Sequence, residues 1–387
     1  MEGINHRSLH SDHHHPLGFL RSQRLSKPGF QSHQPTGVRP LKKILLKHAL
    51  PLLPLLLTAC TSPRQQIPEL PNAVSSEQIT CFHRNLYTAD GNSRGFAHTD
   101  SVRYPAYQHD SARDYLLSTF REMGYKASLD PFHFTRFNAV YTNCANVVAI
   151  KVGSPGYRIH IIGAHYDTVD AAHESVTRCP GADDNGSGVA AMLETARVIQ
   201  HAQFRDTIVF VAFDAEEKGS YGPGQKGSPG ALHFLKTYTT DDPSTTADNC
   251  FLRSAIAGMI SIDTIGYDNA GTPPYVVIGR KNFRRSSTGK HLENAIETST
   301  GLIPRQAFGY NQSDHMPFQH AGIDAVHLVE YDFRKYWPED EGTFIENPYY
   351  HTDADSIDSP DYISYAYITE ITKALTAYLC EQALLIQ

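Results

Sequence analysis

The sequence predicts an α/β protein: a mostly parallel, mixed central sheet with helices on both faces, a three-layer sandwich. Short runs that are apolar throughout recur at 159–162, 207–213, 257–262 and 325–329. They are too short for helix cores and lack the alternation of a half-exposed strand, so they read as buried parallel strands. Amphipathic stretches of helical spacing separate them, and no polar linker divides residues 74–387. Strands alternating with helices build such a layered sheet, and one large domain is the simplest arrangement.

In chain order, residues 75–86 read as an introductory helix. A second helix, 111–123, carries Tyr115, Leu116 and Phe120 near one face and stops at Gly124. Strands follow at 146–150 and 159–162, a helix at 187–201, a strand at 207–213 and a helix at 229–238. Strands at 257–262 and 275–278, a helix at 286–298, a strand at 325–329 and a closing helix at 363–384 complete the set.

Composition excludes some functions. A net charge of −7 offers no basic surface for nucleic acid. The six cysteines (60, 81, 144, 179, 250 and 380) form no Cys-x-x-Cys pair, which argues against a thiolate metal site. Twenty-one histidines leave imidazole and carboxylate as the available ligand types.

The N-terminal part reads as an address. Residues 1–40 are polar, include His13-His14-His15 and show no periodicity, as a disordered or mis-assigned extension would. From 41 to 60 a basic start (Lys42, Lys43, Lys47) leads into an apolar core too short to span a bilayer, then small residues before Cys60. Leu57-Thr58-Ala59-Cys60 resembles a bacterial lipobox, which makes Cys60 the expected lipidation site. Residues 61–73 are then a proline-bearing tether, and the protein is expected in the cell envelope, facing the periplasm and touching the membrane only through that lipid. Export permits disulfides, but with Cys60 lipidated five cysteines remain, so at least one stays free.

Ionisable residues gather where the strands end. His165 and Asp167 follow the strand at 159–162. Asp214, Glu216 and Glu217 follow the one at 207–213, Asp263 the one at 257–262, and His351 lies in the loop before the last helix. Gly181-Ala182-Asp183-Asp184-Asn185-Gly186-Ser187-Gly188 opens a helix. Ligands of open α/β sheets sit at the carboxyl ends of strands. With Asp184 the chain offers two histidines and three carboxylates, enough for two cations sharing one carboxylate. In Glu216-Glu217 neighbouring side chains diverge, so one can bind metal while the other moves a proton. Asp167 is placed to orient His165 through its second ring nitrogen. Each piece alone is ordinary, since Asp-Asp-Asn-Gly is good turn chemistry and a lone Glu-Glu is a common solvated loop. Their shared placement carries the reading.

Six segments in this order, Gly163-Ala164-His165-Tyr166-Asp167, 181–188, Phe213-Asp214-Ala215-Glu216-Glu217, Ser261-Ile262-Asp263, Ser313-Asp314-His315 and His351-Thr352, resemble the co-catalytic zinc aminopeptidase family over about residues 105–385. The resemblance implies a zinc-exopeptidase-like fold and two zinc ions per chain. One would be held by His165, Asp184 and Asp263, the other by Asp184, Glu217 and His351. It also implies Glu216 as general base, Asp167 as orienting aspartate, a cis peptide after Asp184, and peptides with a free N-terminus as substrates. Asp314 and His315 are expected behind the metals or beside the substrate. Tyr331 begins an aromatic, acidic approach to His351, with Tyr336, Trp337, Phe344 and Tyr350 as pocket candidates. A glycine-rich insert, 219–226, stands where the family carries Gly-Ser soon after the Glu-Glu pair.

Two rivals share the fold. Glutaminyl cyclases use one zinc, and Asp314-His315-Met316-Pro317-Phe318 resembles their Asp-His-x-Pro-Phe stretch, although they depart at the Asp183 position. Related receptor ectodomains bind without catalysis, but here all five ligands and Glu216 are intact.

Overall fold

A computed structural model describes residues 69–89, 107–136, 139–156, 158–169, 180–219, 227–244, 250–268, 274–280, 286–309, 312–330 and 347–386. The chain divides into Met1–Ser62 and Pro63–Gln387, and every described residue lies in the second unit. The expected extension, the signal with Cys60, most of the tether, Tyr331, Tyr336, Trp337, Phe344 and the insert beyond Gly219 lie outside the described residues. The end of the expected tether is folded: Leu70–Ala73 form a 3-10 turn with Pro71 buried, and Arg197 donates to the Ala73 carbonyl. Order therefore begins before residue 74, because proline presets the first helical φ.

Eight strands form one sheet: β1 (Lys126–Arg136), β2 (Ala139–Lys151), β3 (Ile159–His165), β4 (Thr207–Phe213), β5 (Ile256–Ile262), β6 (Tyr275–Arg280), β7 (Ile303–Phe308) and β8 (Ala325–Val329). Their order is β1-β2-β4-β3-β5-β8-β6-β7. The four central strands β4, β3, β5 and β8 are mutually parallel. β2 runs antiparallel to β4, and β6 antiparallel to β8. The sheet is thus mixed, with the parallel part at its centre, where both faces are covered.

Among the described residues seven α-helices accompany it: α1 (Ser76–Ala89), α2 (Tyr107–Glu122), α3 (Gly188–Ile199), α4 (Pro229–Tyr238), α5 (Ser287–Ser299), α6 (His315–His320) and α7 (Tyr365–Gln382). Residues of α1, α2, α3, α5 and α7 share one core with Ile162, Ala164, Phe210, Ala212, Ile260 and Ile262. Residues of α4 and α6 share the other with Ile161, Val209, Val211, Phe213 and Met259. Successive strand residues enter opposite cores, as the period of a strand requires. Serine caps start three helices: Ser228, Ser286 and Ser364 accept from Ala231, Gly289 and Tyr367. Gly124, at φ +82°, follows α2 in the left-handed conformation that closes helices.

Three elements escaped the sequence reading. β1 carries Pro131 in an edge strand, β7 has exposed and half-buried residues throughout most of its length, and α6 is only six residues long. None has a strong period. Among the described residues no helix is long and apolar enough to cross a membrane. Cys81, Cys144, Cys250 and Cys380 are free thiols, while Cys60 and Cys179 fall outside the described residues.

One glycine decides how close the centre packs. A β-carbon on Gly163 would stand 2.3 Å from Cε2 of Phe213. That ring is itself buried between Phe234 and Phe318 and has nowhere to go. Gly163→Ala is therefore expected to destabilise the fold by about 1–3 kcal/mol through overpacking, read as a lowered midpoint in denaturant. An unchanged midpoint would show that the ring yields.

Candidate metal centre

The carboxyl ends of three of the parallel strands bring predicted residues to one place. His165 ends β3, Asp263 follows β5, and Glu216 and Glu217 lie in the turn after β4. Strand register makes this unavoidable, since His165 pairs with Phe213 and Gly163 with Ser261. Asp184 comes from the loop before α3. That loop is tied to the exit of β5: Asn185 Nδ2 donates to the Ile262 carbonyl, Gly266 N–H to Asp183 Oδ1, and Ile265 N–H to Ser187 Oγ. The peptide between Asp184 and Asn185 is cis.

Asp184 stands at the middle. Its Oδ1 lies 3.1 Å from His165 Nε2 and its Oδ2 lies 3.0 Å from His351 Nε2. Asp263 Oδ1 is 3.4 Å from the same His165 nitrogen, and Glu217 Oε2 is 3.3 Å from His351 Nε2. Two groups able to hold an ion result, His165–Asp184–Asp263 and Asp184–Glu217–His351, with the ligand atoms of each within 4.8 Å of one another. His165, Glu216 and Glu217 make a third such group. We favour the first two, because they divide the oxygens of Asp184 between two imidazoles and leave Glu216 beside both. Nitrogen and carboxylate donors without thiolate suit zinc. Glu217 Oε1 is moreover buried with no hydrogen-bond donor, a costly arrangement unless a cation meets it.

Charge sharpens this. Burial would raise the Asp184 and Asp263 carboxyls, but the neighbouring imidazoles outweigh it and hold both below the usual carboxylate range. Burial pushes Glu217 up to about 7 against the pull of His351. Glu216 rises well above the ordinary range, chiefly by burial; His165 opposes, and Glu217, Asp263 and Asp314 add repulsion. Burial lowers His351, yet the Glu217 and Asp184 carboxylates carry it up to about 11. So many acids in one buried space are tolerable together only with positive charge among them.

Asp167 holds more than the expected imidazole. His165 Nδ1 lies 3.1 Å from the Asp167 carbonyl oxygen but 3.6 Å from its carboxylate. The carboxylate instead accepts the backbone N–H groups of Glu216, at 3.0 Å, and Glu217, at 3.1 Å. Asp167 thus joins the first histidine to the glutamate turn.

Asp314 is fully buried, accepts the Ser228 hydroxyl, and is pushed up to about 7, mainly by burial. His315 stacks on His327, whose Nε2 lies 3.3 Å from Asp263 Oδ2, and Ser313 donates to that oxygen at 2.7 Å. His315 therefore reaches the centre through His327, while Asp314 is tied to Ser228 at the start of α4.

Several participants were not foreseen. Asp355 accepts the N–H groups of both Asp183 and Asp184, at 2.7 and 3.0 Å, and Tyr362 donates to it. Asn347 bridges Asp183 and Glu330. Asp355 lies four residues after His351, but one aspartate among several in that loop carries no periodic signal. Helix α1 also reaches the Asp184 loop: His83 bonds Tyr365 at 3.0 Å, and a β-carbon on Gly186 would come 2.8 Å from His83 Nε2.

A mixed α/β sheet with two histidine and carboxylate triads at its carboxyl edge defines a protein built to handle metal in a buried site. Residues 146–376 match the model of Peptidase family M28, more than half of the chain, and the chain belongs to that family. It is 26% identical to a probable leucine aminopeptidase of Arthroderma otae, over 62% of this chain and 57% of that protein. It is 30% identical to aminopeptidase YwaD of Bacillus subtilis, over 49% of this chain and 36% of that one. The chain thus spans about half or less of the length of these curated relatives. Among solved structures, the LapA aminopeptidase of Legionella pneumophila superposes with a TM-score of 0.60 at 22% identity, covering 82% of this chain and 74% of that one. A glutaminyl cyclase of Porphyromonas gingivalis does so with 0.59 at 18%, covering 80% and 99%. These likenesses show the fold, and the fold alone does not separate hydrolysis from cyclisation. Helix α1 precedes the matched region and still packs on the loop that carries Asp184.

Proposed function

We propose that the chain is an aminopeptidase that binds two zinc ions and removes the N-terminal residue of peptides. One observation carries this: Asp184 turns one carboxylate oxygen to His165 and the other to His351, the arrangement a shared ligand of two cations requires. His165 and Asp263 complete one set, Glu217 and His351 the other. Zinc bound there supplies Lewis acidity toward the scissile carbonyl and makes water more acidic. Glu216 takes the proton of the attacking water and returns it to the departing amine. Asp167 holds Glu216 and His165 in register for that transfer.

The same reading assigns residues 41–60 as an export signal, Cys60 as the lipid anchor and the following residues as the spacer to a single folded domain. Mass spectrometry of the mature protein's N-terminus tests that part: a peptide beginning before Cys60 would overturn it.

The deciding experiment measures metal content per chain and turnover of an aminoacyl-p-nitroanilide beside a glutaminyl peptide. About two zinc ions and release of p-nitroaniline are expected. One zinc with pyroglutamate formation would replace this reading by a cyclase, and neither turnover by a binding module.

Metal uptake should also be linked to pH. Burial opposes protonation of His165 and His351, but the carboxylates facing them raise both, His351 to about 11. At neutral pH the metal must therefore displace protons, and zinc affinity is expected to fall as pH falls. Zinc titration of the chelator-treated protein in weak buffer should release at least about one proton per ion. Uptake without proton release would show that the imidazoles are already neutral in the metal-free protein and would remove this pH linkage.

A further inference from the structure

The turn that presents Glu216 is held from a second side by Asp214, Asn146 and Asp130. Ala215 sits at φ +63°, a left-handed conformation that a β-carbon disfavours, so its surroundings must impose it. Asp214 does so directly. Its Oδ1 accepts the Ala215 N–H at 2.9 Å, and its Oδ2 accepts the Ala145 N–H of β2 at 2.8 Å. The Asp214 N–H donates to Asn146 Oδ1 at 3.1 Å. Asn146 then directs its own amide group to Asp130 of β1, at 2.9 Å, and to the Gly230 carbonyl of α4, at 3.0 Å. Asp214, Asn146 and Asp130 are all buried. There is no slack around them, since a β-carbon on Gly230 would lie 2.2 Å from the Asp214 carbonyl and 2.6 Å from Asn146 Oδ1.

The glutamate turn is clamped twice. Asp167 grips the N–H groups of Glu216 and Glu217 from the β3 side, and Asp214 grips that of Ala215 from the β2 side. Three consecutive backbone N–H groups thus end on two buried carboxylates. Such a turn cannot rotate without breaking hydrogen bonds to buried carboxylates, whose loss is costly.

We propose that Asp214 and Asn146 are positioning residues of the reaction: they impose the Ala215 turn and so set where the Glu216 carboxylate stands above the metal ligands. This rests on the reading of Glu216 as the general base. A merely structural role, tying β2 to the sheet, would lower stability and leave turnover by the folded protein intact.

The test compares Asp214→Ala, Asp214→Asn and Asn146→Ala in the zinc-loaded protein, well below the melting point. For Asp214→Ala, kcat on an aminoacyl-p-nitroanilide is expected to fall by about 10- to 100-fold, as for a displaced catalytic group. KM should change less than about threefold, and zinc content should stay at the wild-type level. Asp214→Asn, which keeps an acceptor for the Ala215 N–H, should recover part of kcat. Independently of activity, amide exchange in a peptide spanning 213–219 should quicken in Asp214→Ala and Asn146→Ala while β3 stays protected. Unchanged kcat and unchanged exchange in that peptide would overturn the proposal. So would loss of activity that only follows loss of zinc or global unfolding. If Asp214→Ala does not fold, Asn146→Ala carries the same expectation. Wild-type protein without peptidase turnover would sink the aminopeptidase reading, and the exchange measurement would still decide whether these residues hold the turn.

Discussion

Glu216→Gln is expected to lower turnover by about 10²–10⁴-fold while the protein keeps its full zinc load. Glutamine matches the volume and keeps the backbone N–H that Asp167 grips, so the change removes only a proton acceptor. Position is the reason for choosing Glu216 over Glu217. Glu217 faces His351 and shares its ion group with Asp184, whereas Glu216 is the buried neighbour of His165. His165, Glu216 and Glu217 also lie close enough to hold an ion themselves, and the same measurement separates the two assignments. If Glu216 were a ligand, the glutamine variant would lose zinc along with activity. Retention of most activity would remove the general-base role altogether.

Asp184→Ala should abolish binding at both positions, because each ion group uses one of its oxygens. The expected result is a protein that leaves gel filtration with little zinc. It should also lack the thermal stabilisation that added zinc confers on the wild type. That stabilisation is about 4 kcal/mol at zinc concentrations about 1,000-fold above the dissociation constant. His351→Ala, by contrast, should lose the ion shared with Glu217 and spare much of the other. Full occupancy in Asp184→Ala would contradict the bridging role. Loss of a single ion would show that the two groups do not share it.

Much of this was legible in the residues. The strands at 207–213 and 325–329 and the helix at 229–238 emerged with their observed limits, because long apolar or amphipathic runs have one satisfactory burial. The edge strand with Pro131 and the short helix at His315 did not, since their conformation is imposed by neighbours they pair or pack with. The ligand types could be read the same way. His165, Asp184, Glu217, Asp263 and His351 each stand beside a recognisable strand end or turn, and chemistry limits what such residue types do together.

The chain's own order of residues therefore determined the layered architecture and which ionisable residues the strand ends bring together, His165, Asp184, Glu217, Asp263 and His351 among them. Only the tertiary structure decided that the Asp167 carboxylate holds the glutamate turn and that Asp355 accepts the N–H groups of Asp183 and Asp184. It alone placed Asp214 with Asn146 on the far side of Ala215. The physical reason is that burial and period are written locally, in each segment's own side chains. A hydrogen bond between residues 49 or 171 positions apart exists only after strand register and loop closure have fixed the distance between them.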